Sequence, residues 1–322
     1  MSLPTKKINC LQAGRALAAL AVVLSHAAQS TKAFASDFPG ASILLGGSLG
    51  VDFFFVLSGF IIYHSVKGKS LVAYGKSRAR RVYIPYLPIG LAMALAYTLF
   101  PGVSAGDRAW SWLPTLTLLP VQNPALSVAW TLQHELTFYA IFAVAYFSGR
   151  LALVLSLWGC AIILGSVLQS TAIPLALINL EFLMGVLVAI ANERHIGSTR
   201  WYVVAPIPFL IWLVSGSHSE FSVLVGLSFA CAILPTVKLE QEGLIRIPAA
   251  LVFLGAASYS IYLAHYPMIA IVARFGVSSW WLTLALCIAA GSVAGVTYFV
   301  VIERPLLMRL SRQSKAFAPS AR

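Results

Sequence analysis

Charged side chains are scarce in this sequence. Asp, Glu, Lys and Arg make up 10% of the 322 residues, and only 10 of those residues are acidic. A soluble globular domain carries about 25%, so an ordinary cytosolic enzyme and a disordered chain are both excluded. Cysteine is scarce too. Cys10, Cys160, Cys231 and Cys287 lie within or at the edges of apolar runs, without metal-ligand spacing. That excludes a disulfide scaffold and gives no expectation of a zinc or haem site; the four read as small packing residues. No internal repeat is evident, and no low-complexity stretch exceeds the short C-terminal tail. Apolar residues are abundant, at 59%, with a mean hydropathy of +0.86. They fall in runs of about 18 to 23 residues, long enough to cross the roughly 30 Å of bilayer hydrocarbon as helices. The chain therefore reads as an all-α, polytopic membrane protein. Its net charge of +12 would suggest nucleic acid in a soluble protein. Here the positive-inside rule accounts for it, and no nucleic-acid partner is expected.

Ten spans are expected, at approximately 10–29, 43–64, 83–100, 128–147, 151–168, 173–191, 201–216, 221–236, 249–273 and 280–302. With the N-terminus inside, the inner segments hold 18 of the 22 basic residues. Lys32, Arg108 and Arg274 are outer, and Arg15 lies within span one. Such a bias predicts both termini inside. A cleaved signal peptide is the competing reading of span one, with Lys6, Lys7 and a possible site at Ala33-Phe34-Ala35. Arg15 and His26 inside the run argue against it. The outer loop at about 101–127 and the inner loop at about 65–82 leave no room for a soluble domain, so residues 1–322 read as one membrane-embedded domain.

An ionisable side chain inside a span is costly and is a functional candidate. Those here are Arg15, His26, Asp52, His134, Glu135, Glu181 and His265. Arg15 and His26 are eleven residues apart on one expected helix. At 100° per residue they share a face, about 16 Å apart along the axis. That face carries a fixed cation on its inner part and a titratable base on its outer part. A snorkelling Arg and a carbonyl-bonded His would be the purely structural alternative. Span four reads Trp130-Thr-Leu-Gln-His134-Glu135-Leu-Thr-Phe138-Tyr139. Entering from outside, it places Glu135 about 10 Å down. Asp52 also enters from outside, and His265 lies in the outer third of span nine. These depths are compatible with Glu135 or Asp52 meeting His26, where a carboxylate would set the imidazole tautomer. For Asp52 a helix N-terminal charge or a pairing to a neighbouring span stays open.

The densest charge cluster is Lys76-Ser-Arg78-Ala-Arg80-Arg81 before Pro85. It could anchor the chain to anionic lipid head groups. It could also hold a phosphorylated cytosolic ligand, because guanidinium forks pair with phosphate oxygens. Arg78 and Arg81 share a face if the segment is helical.

With these residues in view, the chain resembles the acyltransferase 3 family of bacterial membrane O-acyltransferases, in particular the exopolysaccharide acetylase branch. The resemblance covers nearly the whole chain, in order. It rests on Arg15-x10-His26, Gly50-Val-Asp52-Phe-Phe-Phe-Val-Leu-Ser58-Gly59-Phe60, Arg78-x-x-Arg81 and Trp130-Thr-Leu-x-x-Glu135-x-x-Phe138-Tyr139. Glu181-Phe-Leu-Met-Gly185, Phe253-Leu-Gly-Ala-Ala-Ser258-Tyr-Ser-Ile-Tyr262-Leu-Ala-His265 and Glu303-Arg304-Pro305-Leu306 complete it. The resemblance implies ten helices around a central cavity, with acyl-CoA, by default acetyl-CoA, as the cytosolic donor and no metal. It implies a hydroxyl of a glycan or other small polar molecule as acceptor. It implies His26 as catalytic base with Arg15 as its motif partner, Arg78 and Arg81 on the CoA phosphates, and Glu135 at the family's acidic position. His134 departs from the family pattern, in which a non-titratable residue or a second acid stands beside that Glu.

Two routes stay open for His26: general base for the attacking hydroxyl, or transient acyl carrier. Ser58, Trp130, His134, Tyr262 and His265 are candidates for the acceptor path, although packing between membrane helices also accounts for small and aromatic residues. The expected location is the bacterial inner membrane, among its lipids. The rival function is a transporter or flippase for a polar solute or lipid-linked sugar, using the same charges. Repeated halves, common in transporters, are not evident.

Overall fold

The computed structural model describes residues 8–101, 109–196, 198–215, 222–275 and 279–316, with side chains to 310. Lys6, Lys7, Arg108 and Arg322 of the charge count, and the junction of expected spans seven and eight at 216–221, lie outside them. Every regular element among the described residues is helical. In chain order these are α1 (Asn9–Phe34), α2 (Ala41–Leu45), α3 (Gly50–Val66), α4 (Leu71–Leu99), α5 (Trp112–Thr117), α6 (Trp130–Phe147) and α7 (Leu151–Val167). Then come α8 (Leu180–Glu193), α9 (Trp201–Val204), α10 (Pro206–Val214), α11 (Val223–Gln241), α12 (Ala249–Arg274), α13 (Trp280–Tyr298) and α14 (Arg304–Ala316).

Among the described residues six helical stretches are long and apolar enough to cross a bilayer: Asn9–Phe34, Ala41–Val66, Leu71–Leu99, Val223–Gln241, Ala249–Arg274 and Trp280–Leu310. The other four expected spans fall short for identifiable reasons. Gln133, His134 and Glu135 lower the apolarity of α6. The apolar helix α7 has 17 residues. Two 3-10 turns at Ile173–Leu175 and Leu177–Asn179 precede α8 and leave it 14 residues. The seventh is divided into α9 and α10 at Ala205–Pro206.

One boundary is corrected. The segment before span three, expected as an inner loop to residue 82, is helical from Leu71. Ala, Lys and Arg are good helix formers, and the helix runs on through Pro85 and Pro88. Pro85 withholds the N–H that would bond Arg81 one turn back, while its own carbonyl accepts the Tyr298 hydroxyl at 2.8 Å.

The chain divides into two compact units that interleave in sequence: Met1–Val22, Gly46–Leu71 and Thr131–Ala256 form the first, and Val23–Leu45, Val72–Trp130 and Ala257–Arg322 the second.

In the first unit α3 packs against α8 and both pack against α11. The α3–α8 contact is close because Gly59 and Gly185 meet the facing backbone. A Cβ on Gly59 would lie 2.0 Å from the Phe182 carbonyl oxygen, and one on Gly185 would lie 1.9 Å from that of Val56. Small residues permit such approaches between membrane helices. Phe182 stacks on Phe55 at 4.5 Å and on Phe138 at 4.4 Å between ring centroids. The N-terminus of α1 is closed by a residue far along the chain. Glu240, near the end of α11, accepts the Asn9 and Cys10 N–H groups at 2.8 and 2.7 Å. A carboxylate at this end answers both the orphan donors and the helix dipole.

In the second unit Tyr83 and Tyr86 of α4 donate to the carbonyls of Thr117 and Thr115, at 2.5 and 2.8 Å, and tie α5 to the helix. A π-helical turn at Phe299–Glu303 joins α13 to α14. Such turns are frequent at functional sites; this one brings Glu303 to a buried position, 1% exposed.

Candidate functional site

The second unit holds His26. Its Nδ1 lies 3.0 Å from Nε2 of His265 on α12, and the His265 Nδ1 lies 3.0 Å from the Ile261 carbonyl oxygen one turn back. The ring centroids of the two histidines are 5.0 Å apart. His26 is half-buried, whereas His265 is 0% exposed. Tyr266 presents an edge to His26 at 5.2 Å. Tyr262, 5.8 Å from His265, donates its hydroxyl to the Val128 carbonyl at 3.1 Å. Room for His265 comes from Gly291 on α13, where a Cβ would lie 3.2 Å from the His265 Cβ. The partner given to Nδ1 of His26 is thus an imidazole. His265, expected along an acceptor path, stands behind His26. Trp130, another path candidate, is exposed at the start of α6.

The arginine cluster lies on α4, so Arg78 and Arg81 do share a helix at i,i+3 spacing. Both are partly buried. Arg81 pairs with the buried Glu303 at 3.4 Å and lies over the Tyr259 ring at 4.9 Å. The second Glu303 oxygen accepts the Ser260 hydroxyl at 2.5 Å. Glu303 is therefore the anchor of Arg81. The Glu-Arg-Pro motif at 303–305 was legible in the sequence, but its acid was not matched to an arginine.

The first unit holds the other candidates. Glu135 on α6 accepts the Tyr139 hydroxyl one turn away and the Ser58 hydroxyl of α3 at 3.4 Å. Ser58 and Glu135, separately suspected, are thus neighbours. His134 is buried and donates from Nδ1 to Asn179 Oδ1 at 2.9 Å. The Asn179 amide group donates in turn to the Ile173 carbonyl at 2.7 Å, which sets its orientation. His134 thus faces the turn before α8. Asp52 and Glu181 are neighbouring acids in the interior, 5% and 0% exposed, each acting on the other's charge. Gly226 of α11 makes room for them, since a Cβ there would lie 2.6 Å from the Glu181 Cγ. Glu181 was singled out as an intramembrane acid, but its pairing was not. Arg15 is half-buried on the part of α1 that belongs to this unit. Among the described residues no group of three or more His, Cys, Asp or Glu could hold a metal ion.

Two sets of groups therefore stand ready for chemistry. One is an imidazole backed by a second imidazole, with a helix-borne arginine anchored on a buried acid in the same unit. The other is a network of carboxyl, hydroxyl and amide groups. Proton transfer and anion binding are within their reach.

The profile of the acyltransferase 3 family, described as an acyltransferase domain, matches residues 8–301. The chain is 30% identical over 295 residues to the exopolysaccharide production protein ExoZ of Rhizobium meliloti strain 1021, covering 82% of this chain and 90% of that protein. It is 28% identical over 361 aligned positions to the acyltransferase MdmB of Streptomyces mycarofaciens, covering 93% of this chain and 91% of that protein. No solved structure matches it. With the family profile spanning nearly the whole chain, and His26, Arg78, Arg81 and Glu135 all inside the match, the protein belongs to the acyltransferase 3 family.

Proposed function

We propose that the protein is an integral-membrane O-acyltransferase that moves an acyl group, by default acetyl, from cytosolic acyl-CoA to a hydroxyl of a cell-surface glycan. Family membership supports the acyl transfer. The name of the relative active in exopolysaccharide production favours a polysaccharide acceptor. The basic-residue bias favours both termini in the cytosol and a bacterial inner-membrane location. The observation that carries the chemistry is His26, a half-buried imidazole whose Nδ1 is engaged by His265.

In the reaction, the acceptor oxygen attacks the thioester carbonyl while His26 removes the hydroxyl proton. The carbon–oxygen bond forms, the carbon–sulfur bond breaks, and the imidazolium returns the proton to the leaving CoA thiolate. In the alternative route His26 itself takes the acyl group and passes it to the acceptor. Arg78 and Arg81 hold the CoA phosphates, with Glu303 fixing the Arg81 fork for that contact. Arg15 is the motif partner of His26. Glu135 stands at the family's acidic position, with the Ser58 hydroxyl beside it.

The test is acetyl-CoA binding and CoA release by the purified protein in nanodiscs, with a bacterial exopolysaccharide as acceptor, wild type beside His26→Ala. Binding by both proteins and CoA release by wild type alone is the expected result. Folded protein that binds no acyl-CoA would overturn the reading. An acylated His26 trapped without acceptor would select the second route.

A further inference from the structure

We propose that His265 is the positioning residue of the active site: it accepts the Nδ1 hydrogen of His26 and thereby places the basic lone pair of His26 on Nε2. The inference rests on the acyltransferase reading for its catalytic meaning, but its geometry stands alone.

The argument begins at a backbone carbonyl. The Ile261 oxygen can only accept, so the His265 Nδ1 that faces it at 3.0 Å carries a hydrogen. His265 is 0% exposed. A second hydrogen on its ring would bury a cation, and burial of an uncompensated charge is expensive. Nε2 of His265 is therefore a bare acceptor. It faces Nδ1 of His26 at 3.0 Å, so His26 holds a hydrogen on Nδ1, and in the neutral ring the lone pair is on Nε2. The relay runs from Ile261 through His265 to His26, and each link determines the tautomer of the next.

This order matters because the form it selects is the less populated one for a neutral imidazole in water. The structure also holds the anchor in place. His265 stands on α12, backed by Gly291 of α13, where even a Cβ would press on it at 3.2 Å. Tyr262, one turn before Tyr266 on the same helix, is tied to the Val128 carbonyl at 3.1 Å. The His26 ring is thus held at one nitrogen by a residue that cannot move away. A general base is effective when its basic atom is aimed before the substrate arrives. In the familiar serine-protease triad a carboxylate sets the imidazole tautomer; here a second imidazole, braced by a carbonyl, does so without adding a negative charge inside the membrane.

The experiment is nitrogen-15 NMR of the full chain in nanodiscs, labelled at its six histidines. His26→Ala assigns the His26 signals. In neutral wild-type His26, Nδ1 is expected to be protonated and Nε2 unprotonated. His265→Leu removes both hydrogen bonds at similar volume, and His26 should then populate the other tautomer. His265→Gln restores an acceptor oxygen at the reach of Nε2 and should bring the wild-type form back. Wild-type His26 protonated on Nε2, or a tautomer indifferent to His265→Leu, would overturn the proposal.

Kinetics supply the catalytic arm. In His265→Leu, kcat for acetyl-CoA-dependent CoA release should fall about a hundredfold with the acetyl-CoA KM unchanged, and His265→Gln should recover most of it. A fall in His265→Gln equal to that in His265→Leu would remove the positioning role. If the tautomer is as stated but folded wild type binds no acyl-CoA, the acyltransferase reading falls and the His265–His26 relay remains.

Discussion

Gly185→Ala adds one methyl group at the crossing of α3 and α8, and its expected effect can be worked out from the backbone. The new Cβ would lie 1.9 Å from the Val56 carbonyl oxygen and 2.8 Å from the Phe60 nitrogen. Ordinary contact begins near 3.4 Å, so the helices must part by about 1.5 Å. No side-chain rotation relieves the clash, because both neighbours are backbone. A radial gap of only 0.5–1 Å already forfeits a quarter to a half of each van der Waals contact. The contacts at risk include Val56, Phe60, Phe182 and Val186, all buried. Overpacking costs about 1–3 kcal/mol and occasionally more; this crossing belongs at the upper end, about 3 kcal/mol. Gly75→Ala is the control. It lies within α4, and a Cβ there meets nothing within 4 Å. The same methyl should be neutral or stabilise by up to about 1 kcal/mol through helix propensity. Reversible unfolding in mixed detergent micelles measures both. A Gly185→Ala protein within about 0.5 kcal/mol of wild type would refute the close-crossing argument. The displacement should also reach the polar groups on these helices, Ser58 beside Glu135 and Glu181 beside Asp52, so acyl transfer should fall with stability.

Arg81→Ala leaves Glu303 buried without its cation, and should cost about 2–4 kcal/mol, below the range for fully buried pairs because Arg81 retains 30% side-chain exposure. Adding Glu303→Gln should recover most of the stability while leaving acetyl-CoA affinity low. Recovery of affinity in the double variant would remove Arg81 from the phosphate site. Glu240→Ala removes the cap from α1 and should destabilise by about 1–2 kcal/mol, with amide exchange at Asn9 and Cys10 speeding up; unchanged exchange there would count against the cap. Gly291→Val puts branched bulk against His265, where a Cβ alone already lies at 3.2 Å. It should lower kcat while acetyl-CoA binding persists, and an unaltered kcat would show that α12 yields at this point.

The spans, the charge bias and the motif order were legible along the chain because each depends on composition or local spacing. Lipid demands apolar runs of a certain length, so apolar stretches could be marked before any packing was known, and six helical stretches among the described residues meet that demand. The eleven-residue spacing of Arg15 and His26 is likewise a property of one helix, and α1 carries both. The helical continuation through Arg78 and Arg81 was less legible, since a charged segment carries no apolar-length signal and read as an inner loop to residue 82. What the sequence could not contain were the pairings between segments far apart in the chain. His26 and His265 are separated by 239 positions, Arg81 and Glu303 by 222, and Cys10 and Glu240 by 230. Such contacts depend on which face of each helix turns toward which neighbour, and that is decided by packing, at close crossings such as Gly59 with Gly185 and at clearances such as Gly291. Composition and periodicity made this a membrane helical protein with a histidine in its first span. The tertiary structure alone decided which nitrogen of that histidine is held, because a tautomer is set by the donor or acceptor opposite each ring atom.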